Sequence, residues 1–578
     1  FTFSRGSNLA ATRVDVNGLI EKGRENTTTY SQDATQWSSQ KAAQISTTET
    51  DPFGGNNAAE YEVSSITGAS YFYRTTSPSW SSGQVVTGSV YIKDVDQRYV
   101  QLTFGTAAFG GSQYQNFDLQ TGTKGTSLGM IDSTITSIGN GWYRLTITAQ
   151  TISSGASGVV PCFVPSASAV RLQTPSIVGQ SIQAFGFQTE LGLVATDYIE
   201  TGASTAQAGI LEDMPRLDYS GGASCPALLL EPQRTNLFAQ SEYYNAYFTR
   251  NNVSLTDNAT TSTEGLQNAS KLIPDNGTGG NRSVGKTFSG LSGIHTFSVF
   301  AKAAEYGYVS LRMRNSPSNF VMFDLSDGSV YNTNSSGNQY VDNSAKVEDY
   351  GNGWYRLSAS YDPSESETAG TLYPSLSVGI TGDETSSFNG DGVSGIYIYG
   401  MQFEAGNYPT SYIPTYGSSV TRSEDVGTQL NFSNFFDGYD FTMFLELADN
   451  DSLVRENSAN NFRISDTGGN NFGAIRIYRA SASSTKHRVV FQDNSQNFNP
   501  SSVEIDGDSP KVLVRRIYNT GEFKVFVNGV LRLTATNTDY DMFRFIDFAG
   551  GGSSMTIKQI ALFPTALTDS ECIALTTL

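Results

Sequence analysis

The chain has 578 residues and sets 36 Lys and Arg against 55 Asp and Glu, a net charge of −19. Such a surface repels phosphate backbones and anionic headgroups, which excludes nucleic acid as a natural partner, and no apolar run reaches the ~18 residues that cross a bilayer, so membrane insertion is not expected. Four Trp, 30 Tyr and 34 Phe exclude a disordered chain, and this length predicts three or four domains.

The chain opens on Phe1-Thr2-Phe3-Ser4-Arg5, with neither a Met nor a basic-then-apolar leader. A trimmed chain, or a piece of a longer one, is expected. Residues 1–26 read as an N-terminal arm. Beyond it, alternation with period two dominates, and Gly-Asn, Asp-Gly and Ser-Gly pairs punctuate strand candidates about every 8–12 residues, the spacing of a sandwich or barrel. No long amphipathic helix is apparent.

Residues 27–205 contain Ser89-Val90-Tyr91-Ile92-Lys93, Phe117-Asp118-Leu119, Asn140-Gly141-Trp142-Tyr143-Arg144-Leu145, Gly186-Phe187-Gln188-Thr189-Glu190 and Tyr198-Ile199. Residues 206–227 read as a linker or extended arm; residues 1–25 packing against 206–236, with the first domain inserted between them, is one possible topology. Residues 228–425 then repeat the series in order: Ser298-Val299-Phe300-Ala301-Lys302, Phe323-Asp324-Leu325, Asn352-Gly353-Trp354-Tyr355-Arg356-Leu357, Gly400-Met401-Gln402-Phe403-Glu404 and Tyr412-Ile413. The offsets stay between 206 and 214 residues, so the domain is duplicated; a solenoid repeats every 20–50 residues or so. Glu21, Arg24, Asn26 and Trp37 align with Glu231, Arg234, Asn236 and Tyr247, each 210 residues later. In the second copy, Tyr308-Val309-Ser310-Leu311-Arg312 places Val309 and Leu311 on one face of a strand, with Ser310 and Arg312 on the other.

Residues 426–578 match neither copy. Phe441–Leu447 reads as a strand, Glu522–Val527 and Val530–Leu533 as a hairpin about Asn528-Gly529, and Met555–Phe563 as a last strand. A short helix follows, with Thr568 and Glu571 as a capping box. Cys162, Cys225 and Cys572 are too few and too far apart for a disulfide framework or a zinc site, so buried free thiols are expected.

The repeats resemble the carbohydrate-binding-module type of jelly roll found in tailed-phage appendage proteins. The resemblance lies in the Phe-Asp-Leu strand before Asn-Gly-Trp-Tyr-Arg, in the Gln-x-Glu strand, and in Tyr412-Ile413-Pro414-Thr415; in the first copy Glu200 stands in place of the proline. Leu228-Leu229-Leu230-Glu231-Pro232-Gln233-Arg234-Thr235-Asn236-Leu237 is similar to a segment of phage structural proteins. Residues 426–578 resemble a concanavalin A/laminin-G-like jelly roll. The fold expected is therefore all-β, with tandem β-sandwich domains, two homologous and one concanavalin A-like. The resemblance implies a bacteriophage virion protein, a tail fibre, tailspike or head fibre, that forms a homotrimer, touches other virion proteins and adheres to the host.

Candidate ligand residues follow from chemistry. Trp37 and Trp80, in loop-like Ser-, Gln- and Pro-rich stretches, offer ring faces on which a pyranose stacks, as do Tyr243, Tyr244 and Tyr247; loop aromatics covering a sandwich edge are the plainer reading. Trp142 and Trp354 are expected to be core residues against the opposite sheet. Alternation sets Gln188 beside Glu190, and Gln402 beside Glu404, where oxygen donors could hold a structural calcium; hydrogen bonds to a neighbouring strand or linker are the alternative. His295 and His487, both expected at the surface, are too few to build a nucleophile–histidine–acid triad readily. A non-enzymatic, virion-surface, glycan-binding protein is the expectation, with a purely structural decoration protein or a polysaccharide depolymerase as alternatives.

Overall fold

The computed structural model describes residues 3–4, 8–212, 214–222, 226–277, 282–312, 320–334, 340–365, 370–379, 388–431, 440–447, 462–465, 474–479, 487–492, 498–505, 510–536, 545–549 and 555–577. These residues build three two-sheet β-sandwiches. In the first, one sheet runs in the order Asp132–Gly139, Trp142–Gln150, Val85–Asp94, Ser181–Leu191, Ala58–Val63, Ala42–Glu49. The other runs Thr123–Leu128, Tyr114–Asp118, Tyr99–Phe104, Val159–Phe163, Ser70–Arg74, Trp37–Gln40. The second sandwich repeats this order with Lys346–Asp349, Trp354–Tyr361, His295–Ala303, Ile396–Ala405, Ala269–Pro274 and Val253–Thr260. Facing it are Ser329–Asn334, Phe320–Asp324, Tyr308–Arg312, Ser375–Gly379, Ser283–Gly285 and Thr249–Asn251.

Alternation explains which side chains meet. Val90, Val100, Leu102, Leu145, Ile147 and Phe187 fill the first core, and Val299, Val309, Leu311, Leu357, Ala359 and Phe403 the second. The Asn-Gly turns that precede Trp142 and Trp354 have both residues at positive φ (53° and 80°; 52° and 76°), the backbone of a two-residue hairpin whose twist matches its strands.

Trp142 and Trp354 are buried, but not between the sheets. Strand alternation turns them to the outer face, away from Leu145 and Leu357. Trp142 packs with Ala58, Tyr91 and Phe185, with Tyr198 against them; Trp354 packs with Ile20, Phe300, Tyr399 and Tyr412. The expectation of a tryptophan facing the opposite sheet is thereby corrected. What covers each outer face is the strap after the Gln-x-Glu strand. Asn26 Nδ2 holds the strap at the Ile199 carbonyl (2.8 Å), and Asn236 Nδ2 does the same at Ile413 (2.9 Å). The strap tyrosines share hydroxyl bonds of 2.6 Å, Tyr198 with Ser31 and Tyr412 with Ser241. Arg144 and Arg356 lie over the Tyr91 and Phe300 rings, each at 5.4 Å, and donate to Ser89 and Ser298. The duplication thus extends to individual contacts.

The third sandwich is assembled from three parts of the chain. Its first sheet runs Phe3–Ser4, Val426–Asn431, Phe545–Ala549, Phe462–Ser465, Ala474–Arg479, His487–Gln492, Phe498–Ile505. Its second runs Leu217–Asp218, Ala227–Leu230, Met555–Phe563, Phe441–Leu447, Lys511–Ile517, Glu522–Val527, Val530–Thr536. Residues 3–4 and 217–230, read from sequence as parts of an arm, a linker and the start of the second jelly roll, therefore supply strands to the C-terminal sandwich, and Leu230 sits in its core. The Asn528-Gly529 turn has both residues at positive φ. The C-terminal helix, Asp569–Thr577, carries the expected reciprocal cap: Glu571 N donates to Thr568 Oγ1 (3.3 Å) and Thr568 N to Glu571 Oε2 (2.8 Å). No helix among the described residues is long and apolar enough to cross a membrane.

The arm binds the parts together. Thr12–Val14 and Ile20–Lys22 form a hairpin, and Arg24–Asn26 pairs with Ala206–Ala208. Val14 N donates to Asp218 Oδ1 at 2.7 Å. Arg216, fully buried, donates to the Thr12 carbonyl, to Glu231, to Ser411 and to Asp425. Arg422 adds a second cation 2.8 Å from Glu231. Burial alone would raise the Glu231 carboxyl, but Arg422 and Arg216 hold it down at about 2.

Candidate functional site

A cavity of about 310 Å³ opens where the two homologous sandwiches meet the N-terminal arm. Four stretches position it. The arm brings Leu9, Ala10, Lys22 and Arg24; the first sandwich brings Gln84, Glu190, Leu193 and Thr196. The second sandwich brings Glu242, Glu264 and Asn268, and its strap brings Tyr416, Ser418 and Thr421. Side-chain hydrogen bonds fix the seam: Gln240 Nε2 donates to the Gly83 carbonyl at 2.7 Å, and Asn258 Nδ2 to Asp132 Oδ2 at 2.6 Å.

Lys22, buried, is the hub. Its Nζ lies 2.8 Å from Glu242 Oε1, 2.9 Å from Glu264 Oε2 and 2.6 Å from the Tyr416 hydroxyl. Burial would lower the Lys22 ammonium, but the two carboxylates and Tyr416 raise it well above its ordinary value, so it stays charged. Burial likewise works to raise Glu264; Lys22 and Arg24, whose Nη2 lies 3.1 Å from Glu264 Oε1, bring it below its usual range. Tyr399, Tyr412 and Tyr416 all place hydroxyls on Glu242 Oε1, at 3.0–3.1 Å. Donors therefore crowd one oxygen, while Glu242 Oε2 and Asn268 Oδ1 are buried acceptors with no protein partner.

Of the candidate ligand residues read from sequence, Glu190 alone lines this cavity. Trp37 and Trp80 are not loop platforms. Each begins or ends a strand and is buried in the first core, with the indole N–H donated to the Tyr30 and Ser157 carbonyls, and Trp37 sets its edge on Phe187 at 4.7 Å. Tyr244 is fully buried in the second core; Tyr243 and Tyr247 are half-buried, the latter beneath the Lys286 ammonium at 4.5 Å. These five rings belong to two different sandwiches and form no common platform. His295 is also buried rather than exposed, in the strand His295–Ala303, and burial lowers its imidazole.

Gln188 and Glu190 share a face, as do Gln402 and Glu404, but with their donors turned inward. Gln188 Nε2 donates to Glu190 Oε1 (2.7 Å) and faces the Thr196 and Asp197 carbonyls, while its Oε1 accepts from Ile199 N. Thr196 N and Oγ1 complete Glu190, whose carboxyl is raised by burial against these bonds. Gln402, Glu404 and Thr410 repeat the pattern. An amide NH₂ stands where a cation would have to sit, so the arrangement does not fit calcium; it locks the strap to its strand. Among the described residues no cluster of three or more His, Cys, Asp or Glu is placed to hold a metal. Cys162 and Cys572 are buried free thiols, and burial pushes both up, Cys572 to about 11; Cys225 lies outside the described residues.

Sequence reasoning missed Lys22, Arg24, Glu242, Glu264 and Asn268 as a group. One signal was present: Lys22 aligns with Pro232 and Glu242 with Gln32, so charge appears where the duplicated copy has none.

No protein-family model matches the chain, and no curated protein matches it. Solved structures similar to parts of it include the carbohydrate-binding module CBM40 of the Ruminococcus gnavus IT-sialidase bound to α2,3-sialyllactose. That likeness has 14% identity and a TM-score of 0.20, over 26% of this chain and 93% of that one. A putative carbohydrate-binding protein from Bacteroides ovatus is similar at 14% identity and a TM-score of 0.18, over 50% of this chain and 84% of that one. The NanB sialidase of Streptococcus pneumoniae is similar at 16% identity and a TM-score of 0.20, and this chain spans about a quarter of its length (26% of each chain).

Proposed function

We propose that the protein is a non-enzymatic, glycan-binding appendage of a bacteriophage particle, and that the cleft between its two homologous sandwiches receives the sugar. The observation that carries this reading is the cleft itself, a concave site that places amide, hydroxyl and charged groups beside the apolar side chains of Leu9, Leu193 and Val194. Pockets for small ligands combine an apolar wall with a few converging polar groups in this way. The resemblance of both copies to phage jelly rolls supports the particle as the setting, and homotrimerisation would multiply a weak single-site affinity.

The test is a glycan array on the intact protein alongside Ser418→Trp, which fills the exposed rim of the cleft. Bound glycans should be lost from the variant while its thermal transition stays within a degree or two, and the same glycans in solution should block adsorption of the particle. Undiminished binding by the variant would move the site off the cleft, and no binding to any glycan would remove the reading.

A further inference from the structure

One oxygen of the buried cluster touches both an amine and an amide. Glu264 Oε2 lies 2.9 Å from Lys22 Nζ and accepts from Asn268 Nδ2, also at 2.9 Å. Tyr399 donates its hydroxyl to the same oxygen at 2.5 Å. Lys22, Glu264 and Asn268 are all buried. The backbone holds them together: Ile20 N donates to the Thr263 carbonyl at 2.8 Å, which lays the arm strand along the turn that carries Glu264, and Asn268 N donates to the Leu266 carbonyl at 2.9 Å. Glu242 also contacts Lys22, and Arg24 also contacts Glu264, but it is Glu264 that joins the amine to the amide. In the first copy, Asn57 and Phe53 stand 211 residues before Asn268 and Glu264, so the amide recurs there without the acid. The resting Lys22–Glu264 pair is ionic. Burial is nonetheless the largest single influence on each partner, favouring the neutral amine at Lys22 and the neutral acid at Glu264. Passing one proton from Lys22 to Glu264 removes both charges from a poorly solvated place and makes the amine a nucleophile. Asn268 Oδ1 is buried with no protein partner. A half-turn of the amide brings that oxygen to the O–H of the protonated acid, which polarises Asn268 Cγ for attack.

We infer that Lys22 and Asn268 join in an intramolecular isopeptide bond, with Glu264 as the proton carrier. The bond between Lys22 Nζ and Asn268 Cγ forms and the Asn268 Cγ–Nδ2 bond breaks. Glu264 takes a proton from Lys22 and returns one to the departing nitrogen, which leaves as ammonia through the adjoining cleft. No oxidant or other co-reactant is consumed. The bond bolts the arm to the second sandwich and closes a covalent loop around the first, which restricts the unfolded chain as a disulfide does. It stands apart from the glycan-binding reading, since it needs no ligand.

The experiment is intact-mass spectrometry of the full chain, followed by protease digestion and tandem mass spectrometry of the peptides. The mass should fall one ammonia below that of the sequence, and a branched peptide should join the stretch around Lys22 to the stretch around Asn268. Glu264→Gln should keep the full mass of its own sequence and give the two stretches as separate peptides. A folded parent protein with the full mass and separate peptides overturns the inference. So does a loss of ammonia with the two stretches unlinked, which is the signature of a cyclised Asn-Gly turn instead. A branched peptide in Glu264→Gln overturns the role given to Glu264. The mass and peptides of the parent protein decide the matter even where the variant fails to fold.

Discussion

Gly186 and Gly400 occupy one structural position in the two copies, and a side chain fits in neither. Each lies at a register shift in the central strand pairing, with φ of 67° and 60°. A Cβ on Gly400 would lie 2.9 Å from Phe300 Cδ2 and 3.2 Å from Tyr412 Cε2; on Gly186 it would meet Tyr91 at 3.0 Å and Tyr198 at 3.1 Å. The bare glycine at the bulge leaves room for the strap tyrosine, which sets its ring nearly perpendicular to Tyr91 in the first copy and to Phe300 in the second. Gly400→Ala combines a left-handed backbone with overpacking, and we expect it to cost about 1–3 kcal/mol. Urea denaturation of the variant measures this, and a midpoint equal to that of the parent protein would show that the strap adapts freely. The same residues mark where sequence reasoning stopped. Period-two alternation correctly sends Leu145 and Leu357 to the cores, and it equally sends Trp142 and Trp354 to the outer faces. A local pattern cannot reveal that a strap more than forty residues downstream buries that outer face.

At the scale of the element, the strand Ala227–Leu230 decides how the C-terminal sandwich holds together. It hydrogen-bonds to Met555–Ile557 and places Leu230 among Met443, Leu445, Val525 and Ile557. A fragment cut at residue 426 would lack this strand and leave the edge of Met555–Phe563 unpaired, with apolar side chains beside open N–H and C=O groups; such edges pair with other chains. We expect the isolated 426–578 fragment to aggregate. In the full chain, Leu230→Asp, which buries an unpaired charge, should lower the thermal transition of the C-terminal sandwich and spare the first, as read by calorimetry. A soluble, monodisperse 426–578 fragment with a normal transition would refute this role. The strands that begin at Phe441, Glu522 and Met555 were legible because each alternates and ends at a turn signal. Leu217–Asp218 and Phe3–Ser4 are two residues long, too short to carry a period. Their sheet partners are remote in sequence, so composition made them linker and arm. The cleft was hidden for the same reason: Lys22, Glu242 and Glu264 come from the arm and from two separate stretches of the second copy.

Across the whole molecule, the arm makes one body of three sandwiches, and its electrostatic joint is the Arg216, Glu231, Arg422 and Asp425 cluster. Arg216 comes from the segment between the copies, Glu231 from the entry to the second copy, and Arg422 and Asp425 from its exit towards the third sandwich. Every member is buried, so losing one charge strands its partners in a poorly solvated place. Glu231 has a lower pKa in the folded protein than the ordinary 4.5. Folding therefore favours its ionised form, and its contribution is complete above about pH 4.5 and lost as the pH falls through about 2. Acidification over that window should weaken the joint before it dissolves cores whose packing carries no charge. Small-angle scattering should then show the particle lengthening while the far-ultraviolet strand signal persists. In Glu231→Gln, Arg422 loses its carboxylate and Arg216 keeps only Asp425 at every pH, so the joint should already be loose at neutral pH and the acid-dependent step between 4.5 and 2 should shrink. A variant that is as compact as the parent protein at pH 7 and shows the same acid transition would place the joint elsewhere, in the strand pairings of residues 3–4 and 217–230.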